Sequence, residues 1–172
     1  SIVNDPEKRK KLVMYINPPY AEAGDTKQRM GEGKNKDNVS KNTMVHLKYS
    51  SVIGKYAQRE LYVQFILRIY NELQGAILAE FSTLKILQAP YFENFRNHFR
   101  SSLEKIFIVP ANTFDNVNGS FPIGFIIWKT DVYKPNDNII ADVYNTIGQY
   151  ERNKRIITYD KVKNLNDWLR PT

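Results

Sequence analysis

The chain has 172 residues, with 25 Lys and Arg against 18 Asp and Glu, and it contains no cysteine. This length suits one domain, and an apolar fraction of 42% excludes a chain that is disordered throughout. The absence of cysteine excludes a disulfide scaffold, an iron–sulfur cluster and a thiolate zinc site. The formal charge of +7 favours a polyanionic partner such as nucleic acid, although a solvated basic surface explains the same charge.

The sequence contains no targeting or membrane signal. No stretch approaches the roughly 18 consecutive apolar residues that a membrane span requires. The N-terminus lacks a basic cap followed by an apolar run and a cleavage site, so we expect a cytoplasmic protein without membrane contact. It also lacks an initiating Met, which indicates a processed end or a cut inside a longer chain.

Short apolar runs alternate with helical patterns along most of the chain. In chain order they predict a strand at residues 12–16, a helix at 58–73, a strand at 76–81, a helix at 91–103, and strands at 106–109 and 123–128. The second helix places Phe92, Phe95, Phe99 and Leu103 on one face. This order predicts an α/β domain with helices on its sheet and a hairpin at the sheet edge. After Lys129 the pattern weakens into a turn-rich link and short strands.

Residues 21–51 form a polar stretch that we predict to be a long loop. Such loops in compact domains are usually functional or disordered. The stretch is basic, counting His46 generously, through Lys27, Arg29, Lys34, Lys36, Lys41 and Lys48.

The tetrapeptide Asn17-Pro18-Pro19-Tyr20 directly follows the first predicted strand. Prolines cannot continue a sheet ladder, so the strand ends here, at the edge where α/β sheets bind ligands. The Asn17 side-chain oxygen and the Pro18 carbonyl are two acceptors held by a stiff turn. Aimed at the N–H bonds of a conjugated amino group, they would free its lone pair for methyl transfer. Tyr20 offers a ring face to a flat substrate.

This motif resembles the catalytic motif of amino-group DNA methyltransferases, which use S-adenosylmethionine and occur in bacterial restriction-modification systems. Asn in the first position is more similar to the adenine-N6 enzymes than to the cytosine-N4 enzymes, where Ser is usual. The family's order of elements after the motif also matches this chain as far as Trp128. The resemblance therefore implies part of a Rossmann-like methyltransferase sheet and an enzyme that methylates adenine N6 in DNA.

The family pattern also implies a pocket for a base that is flipped out of the duplex. Phe114, in the segment after the strand at 106–109, matches the family's aromatic loop and would stack on the base opposite Tyr20. Phe121 is the competing candidate, and core packing is the alternative for both. The basic loop would lie beside this pocket and contact phosphates through Lys27, Arg29, Lys34, Lys36 and Lys41.

The cofactor half of the family is missing from this chain. No strand and glycine-rich turn precede Asn17, and Gly31 and Gly33 have no strand before them. By resemblance, residues 1–130 are the C-terminal half of a catalytic domain, and residues 131–172 are a link and the start of a target-recognition or accessory region. We expect such a fragment to be inactive by itself. It would expose an apolar strand edge, and we expect that edge to pair with the missing cofactor-binding half or with a second copy.

Other readings of the motif stay open. The same tetrapeptide occurs in enzymes that methylate glutamine side chains of release factors or bases of ribosomal RNA. A non-catalytic interaction module with this fold is a further alternative. Two histidines, His46 and His98, far apart in the sequence, predict no metal site. The carboxylates predict no acid/base pair, and we expect solvated or ion-paired helix residues at Glu60, Glu72, Glu80 and Glu93.

Overall fold

The structure is a computed structural model that describes residues 1–19, 43–54, 56–114, 121–136 and 138–157. These residues form a six-stranded sheet with helices. The strands are β1 (Val13–Ile16), β2 (Ile77–Thr83), β3 (Ser102–Pro110), β4 (Pro122–Lys129), β5 (Ile139–Tyr144) and β6 (Tyr150–Ile156). The α-helices are α1 (Pro6–Arg9), α2 (Met44–Ile53), α3 (Leu61–Glu72), α4 (Lys85–Gln88) and α5 (Glu93–His98). None of these helices is long and apolar enough to cross a membrane.

The sheet is mixed, with the strand order β1-β2-β4-β3-β5-β6. β1 pairs parallel with β2 and β3 pairs parallel with β5, whereas β4 lies antiparallel between β2 and β3. β6 pairs antiparallel with β5. Four strands, β1, β2, β3 and β5, therefore run in one direction and end at the same side of the sheet, which we call the carboxyl edge.

Helices α2 to α5 cover one face of the sheet, the helical face. The main core lies there, where Ile66 and Phe95 of the helices pack with strand residues such as Leu78, Ile126 and Trp128. Burial of this apolar surface is the dominant stabilisation of the fold. On the opposite face, the open face, a smaller cluster forms around Val109, Ala111 and Ile123 near the carboxyl edge.

The predicted α/β class is confirmed, and each predicted strand and helix has a counterpart in the structure. The β3–β4 hairpin lies inside the sheet, because β4 inserts between β2 and β3. The hairpin at the edge is instead β5–β6, which lies beyond the predicted boundary at residue 130 and continues the same sheet. The division of the chain at that boundary stays a prediction.

Three details of the sequence-based assignment are wrong. Residues 44–51 belong to helix α2 and not to a loop, because the Thr43 side chain caps the helix by accepting a hydrogen bond from the His46 N–H at 3.0 Å. The helix predicted at 91–103 ends at His98, and Leu103 lies in β3. Phe65, one of the apolar residues whose spacing predicts the helix at 58–73, does not lie on its packed face: it is 46% exposed, whereas Tyr62, Val63 and Ile66 are among the side chains of α3 that face the core.

Candidate functional site

The first three residues of the tetrapeptide, Asn17 to Pro19, lie where β1 reaches the carboxyl edge. β1 ends at Ile16, which is paired with Glu80 of β2, so Asn17 leaves the sheet at the level of Phe81. Asn17 is exposed, Pro18 is buried and Pro19 is exposed. The buried proline anchors the turn in the protein, while the asparagine lies at the surface.

The connection between β3 and β4 returns to the same edge. It begins with a 3-10 turn, Ala111–Thr113, and the Ala111 N–H donates to the Phe121 carbonyl at 2.8 Å, which closes the base of the connection. The Phe114 ring packs edge-on against Phe81, with ring centroids 5.2 Å apart. The fold therefore brings Phe114 to the strand end that Asn17 follows. Phe121, the competing candidate, is 44% exposed at the start of β4.

One aromatic ring from each strand forms a continuous row across the open face. The rings of this aromatic row are, in sheet order, Tyr15, Phe81, Phe125, Phe107, Tyr144 and Tyr150. Consecutive ring centroids are separated by 6.3, 4.8, 5.0, 5.8 and 5.8 Å. The row ends at the two outer strands with the exposed rings of Tyr15 and Tyr150. The row extends from β1, the strand directly before the tetrapeptide, to the β5–β6 hairpin.

Several predicted site residues lie outside the described residues. They are Tyr20, Lys27, Arg29, Lys34, Lys36 and Lys41. Gly31 and Gly33 lie outside them as well. The roles of these residues, and those of Asn17, Pro18, Pro19, Phe114 and Phe121, stay predictions.

The prediction that Glu80 is a solvated or ion-paired helix residue is wrong. Glu80 lies in β2, not on a helix, and its side chain is fully buried on the helical face. Its Oε1 accepts hydrogen bonds from the Trp128 indole N–H at 3.2 Å and the Ser82 hydroxyl at 3.1 Å. Within the described residues, Oε2 makes no hydrogen bond. Burial raises the pKa of Glu80 to about 8, although these two hydrogen bonds oppose the shift.

A signal for Glu80 was present in the sequence. An acidic residue inside an apolar strand run must be neutral or paired when the strand is buried. The other carboxylates fit the prediction better. Glu60 forms an ion pair with Lys85 at 2.7 Å, and Glu72 forms one with Arg68 at 3.2 Å.

The described residues do not form a recognisable site for a nucleotide-like methyl donor. Such a site needs a glycine turn that leads from a strand into a helix. The glycines with positive φ lie elsewhere: Gly54 ends α2, Gly75 joins α3 to β2, and Gly148 lies in the β5–β6 turn. We therefore derive no chemical step through a bound donor from the residues that the structure describes.

The described part of the chain also contains no group of His, Asp and Glu side chains arranged to hold a metal ion. His98 is half-buried beside Asn71, with its Nε2 3.1 Å from the amide oxygen, and packs edge-on against Tyr70. Burial lowers the pKa of His98, which fits a packing residue.

No protein-family model and no curated protein matches the chain. Among solved structures, it is similar to a modification subunit assigned to a type I restriction enzyme from Vibrio vulnificus YJ016, with 13% identity and a TM-score of 0.51. That match covers 81% of this chain and 28% of the other. The type IIL restriction-modification enzyme MmeI in complex with DNA matches with 17% identity and a TM-score of 0.48, over 94% of this chain and 20% of the other. A DrdV–DNA complex matches with 17% identity and a TM-score of 0.49, over 80% and 15%.

The Vibrio likeness supports the assignment of the fold, a mixed α/β sheet of the kind found in a modification subunit. The other two likenesses have TM-scores below 0.5 and add nothing to that assignment. The chain spans between about a seventh and about a quarter of the length of these three structures. Activity, substrate and partners therefore belong to the proposal that follows.

Proposed function

We propose that this chain is the catalytic half of an amino-group DNA methyltransferase that methylates the N6 amino group of adenine. The observation that supports it most is the location of Asn17-Pro18-Pro19 at the carboxyl end of an edge strand. Phe114 reaches the same edge from a different part of the chain through its contact with Phe81. Two elements that the family pattern links in sequence therefore both reach the carboxyl edge, one at the end of β1 and one against the neighbouring β2.

In the proposed reaction, the chain activates and orients the amino group. Oδ1 of Asn17 and the carbonyl oxygen of Pro18 accept hydrogen bonds from the two N–H bonds of adenine N6. These hydrogen bonds would draw the nitrogen lone pair out of conjugation with the ring, which makes the nitrogen nucleophilic. A bound sulfonium donor would supply the methyl group and leave as a thioether, and the amino nitrogen would release one proton to solvent. The two prolines fix both acceptors before the substrate arrives, so little reorganisation is needed in the transition state.

The aromatic residues hold the flipped base in this proposal. Tyr20 would stack on one face of the adenine and Phe114 on the other, with Phe121 as the alternative second face. The basic stretch after Tyr20 would neutralise phosphates near the target through Lys27, Arg29, Lys34, Lys36 and Lys41. Phosphate contacts give affinity without reading the sequence.

We propose S-adenosylmethionine as the methyl donor, held chiefly by a cofactor-binding half of the same protein. That half would complete the sheet beside β1. The chain by itself would then bind the donor poorly and transfer no methyl group. The complete protein would act in restriction-modification.

The test is a methyl-transfer assay on the full-length protein that contains this chain. Labelled S-adenosylmethionine and an adenine-containing duplex are the substrates, and nucleoside mass analysis identifies the product. Asn17→Ala should lower the turnover by about 100- to 1,000-fold, because it removes one preorganised acceptor. Asn97→Ala, which changes an exposed asparagine of α5, is the matched control and should leave turnover unchanged.

The product decides between the readings of the motif. N6-methyladenine in DNA supports the proposal, and N4-methylcytosine would overturn the adenine assignment. Methylation of RNA or of a protein glutamine, with no transfer to DNA, would replace DNA as the substrate. No transfer to any of these acceptors by the full-length protein would favour a non-catalytic module.

A further inference from the structure

Among the residues that the structure describes, β6 is an edge strand, and it contributes little to the core. Its residues from Tyr150 to Arg155 are exposed, and Ile156 is the residue of β6 that the core buries. Burial of apolar surface therefore accounts for the residue type at one position of this strand, Ile156. The residue types at the exposed positions do not serve core packing.

The exposed surface of β6 is basic. Arg152 and Lys154 pair with Val143 and Ala141 of β5, so both side chains lie on the same side of the ribbon, two residues apart. Neither is ion-paired within the described residues. Arg155 lies on the other side and donates to Asn138 at 2.8 Å. Strand β6 therefore carries three cationic side chains and one acidic side chain, that of Glu151.

The turn of the hairpin is well defined. The Asn145 side-chain oxygen accepts the N–H groups of Ile147 and Gln149, at 3.1 and 2.9 Å. Gly148 takes the left-handed conformation, φ +78°, that closes such a turn. Because β5 runs parallel to β3, this turn projects at the carboxyl edge, with Ile147 75% exposed at its tip. The hairpin is therefore a rigid projection at the same edge as Asn17.

We propose that the β5–β6 hairpin is a second DNA-contact element, in which Arg152 and Lys154 neutralise backbone phosphates of the duplex that carries the target base. This inference rests on the proposed function. It commits to duplex DNA because the unpaired cations match a polyanion and because the hairpin shares an edge with the proposed base pocket.

The dimensions of the sheet fit such a contact. β1 and β6 are separated by five strand spacings, about 24 Å in all. Duplex DNA carries one phosphate charge per about 1.7 Å of its axis, so a duplex along this edge presents on the order of fourteen charges. The hairpin would contact phosphates at one end of that span while the tetrapeptide engages the target at the other.

The experiment is an anisotropy titration of a fluorescently labelled mixed-sequence duplex with the full 172-residue chain, at salt concentrations from about 50 to 200 mM. The double variant Arg152→Gln, Lys154→Gln should bind more weakly. The slope of log affinity against log salt should fall by about 2 in magnitude, about 0.9 for each lost phosphate contact. The matched control is Lys11→Gln, Lys129→Gln, which removes two exposed cations from the opposite edge of the sheet.

An unchanged slope in the hairpin variant would overturn the inference, and so would an equal loss of slope in the control variant. Increased self-association of the hairpin variant at an unchanged slope would show that the charges protect the strand edge, and would also overturn it. If the wild-type chain binds no duplex at the lowest salt, the hairpin contact is excluded. The methyl-transfer assay on Asn17→Ala reads a different quantity, so a failure of the hairpin contact is distinguishable from a failure of the proposed function.

Discussion

Glu80 is a buried carboxyl group whose ionisation makes the free energy of unfolding depend on pH. Its pKa of about 8 in the folded chain lies well above the value of about 4.3 for an exposed glutamate. Between these two values the folded state keeps the proton and the unfolded state does not. The free energy of unfolding therefore falls as the pH rises through this window, by up to about 1.4 kcal/mol per pH unit.

This gives a prediction at a single residue. Between pH 6.5 and 8, urea titrations should show a falling free energy of unfolding for the wild-type chain and a nearly constant one for Glu80→Gln. The glutamine keeps an acceptor for the Trp128 indole but carries no charge. The lowered pKa of His98 has the opposite effect, because the unfolded state then binds more protons than the folded state. His98 therefore makes the free energy of unfolding rise with pH, at pH values below this window.

Glu104→Gln serves as the matched control, because Glu104 is an exposed glutamate of β3. It should keep the pH dependence of the wild-type chain. A glutamine at position 80 that left the slope unchanged would mean that another group causes the dependence.

At the scale of elements, Thr43 joins helices α2 and α3. Its hydroxyl caps α2 and donates to the Gln64 side-chain oxygen of α3 at 2.5 Å. Gln64 in turn donates to the Gln58 carbonyl at 2.7 Å. This chain of bonds fixes the start of α2, which lies within the stretch 21–51 that was predicted to be a loop.

Thr43→Ala should lower the free energy of unfolding by about 2 kcal/mol, about one for the cap and about one for the interhelical hydrogen bond. The measurement is the urea midpoint at constant m-value. Thr43→Ser retains the hydroxyl and should recover most of the loss. If serine were as destabilising as alanine, the threonine methyl group and not the hydrogen bonds would matter.

The helix that Thr43 starts also shows what the sequence could and could not predict. Apolar runs and the proline pair predicted strands β1 to β4 and the end of β1, because burial and backbone chemistry are local signals. Helix α2 was missed because its Met44 and Leu47 are exposed and its apolar stripe is weak. Leu103 fitted a helical repeat but lies in β3, since strand pairing overrides local periodicity.

The candidate site divides in the same way. The local sequence pattern predicts that Asn17 directly follows a strand. It also predicts that Phe114 lies in the segment after β3. The contact between Phe114 and Phe81 and the burial of Glu80 depend on which strands become neighbours. The insertion of β4 between β2 and β3 is a long-range choice that no local pattern contains.

At the scale of the whole molecule, β1 forms one edge of the described sheet. Val13 and Tyr15 on this strand are 57% and 65% exposed. An open edge with apolar side chains is a template for pairing with another strand. In the proposed enzyme, the cofactor-binding half would occupy this edge.

Without that half, we predict that the chain self-associates at high micromolar concentration in sedimentation velocity. Tyr15→Lys should weaken this association, because a lysine on an edge strand disfavours pairing. Tyr56→Lys, which changes an exposed tyrosine outside the sheet, should not. A wild-type chain that stays monomeric throughout would contradict the prediction.

The hydrogen bond between Trp128 and Glu80 couples the fluorescence of a buried tryptophan to the ionisation of a buried carboxyl group. The sequence contains two tryptophans, Trp128 and Trp168, so few chromophores overlap in the emission spectrum. The Trp128 ring is buried, with the Glu80 carboxyl group at its nitrogen and the Phe99 ring edge-on at 5.1 Å. Ionisation of Glu80 changes the electric field across the indole and therefore the energy of its fluorescence. The chain thus carries a label-free indicator that reports the protonation state of its own interior.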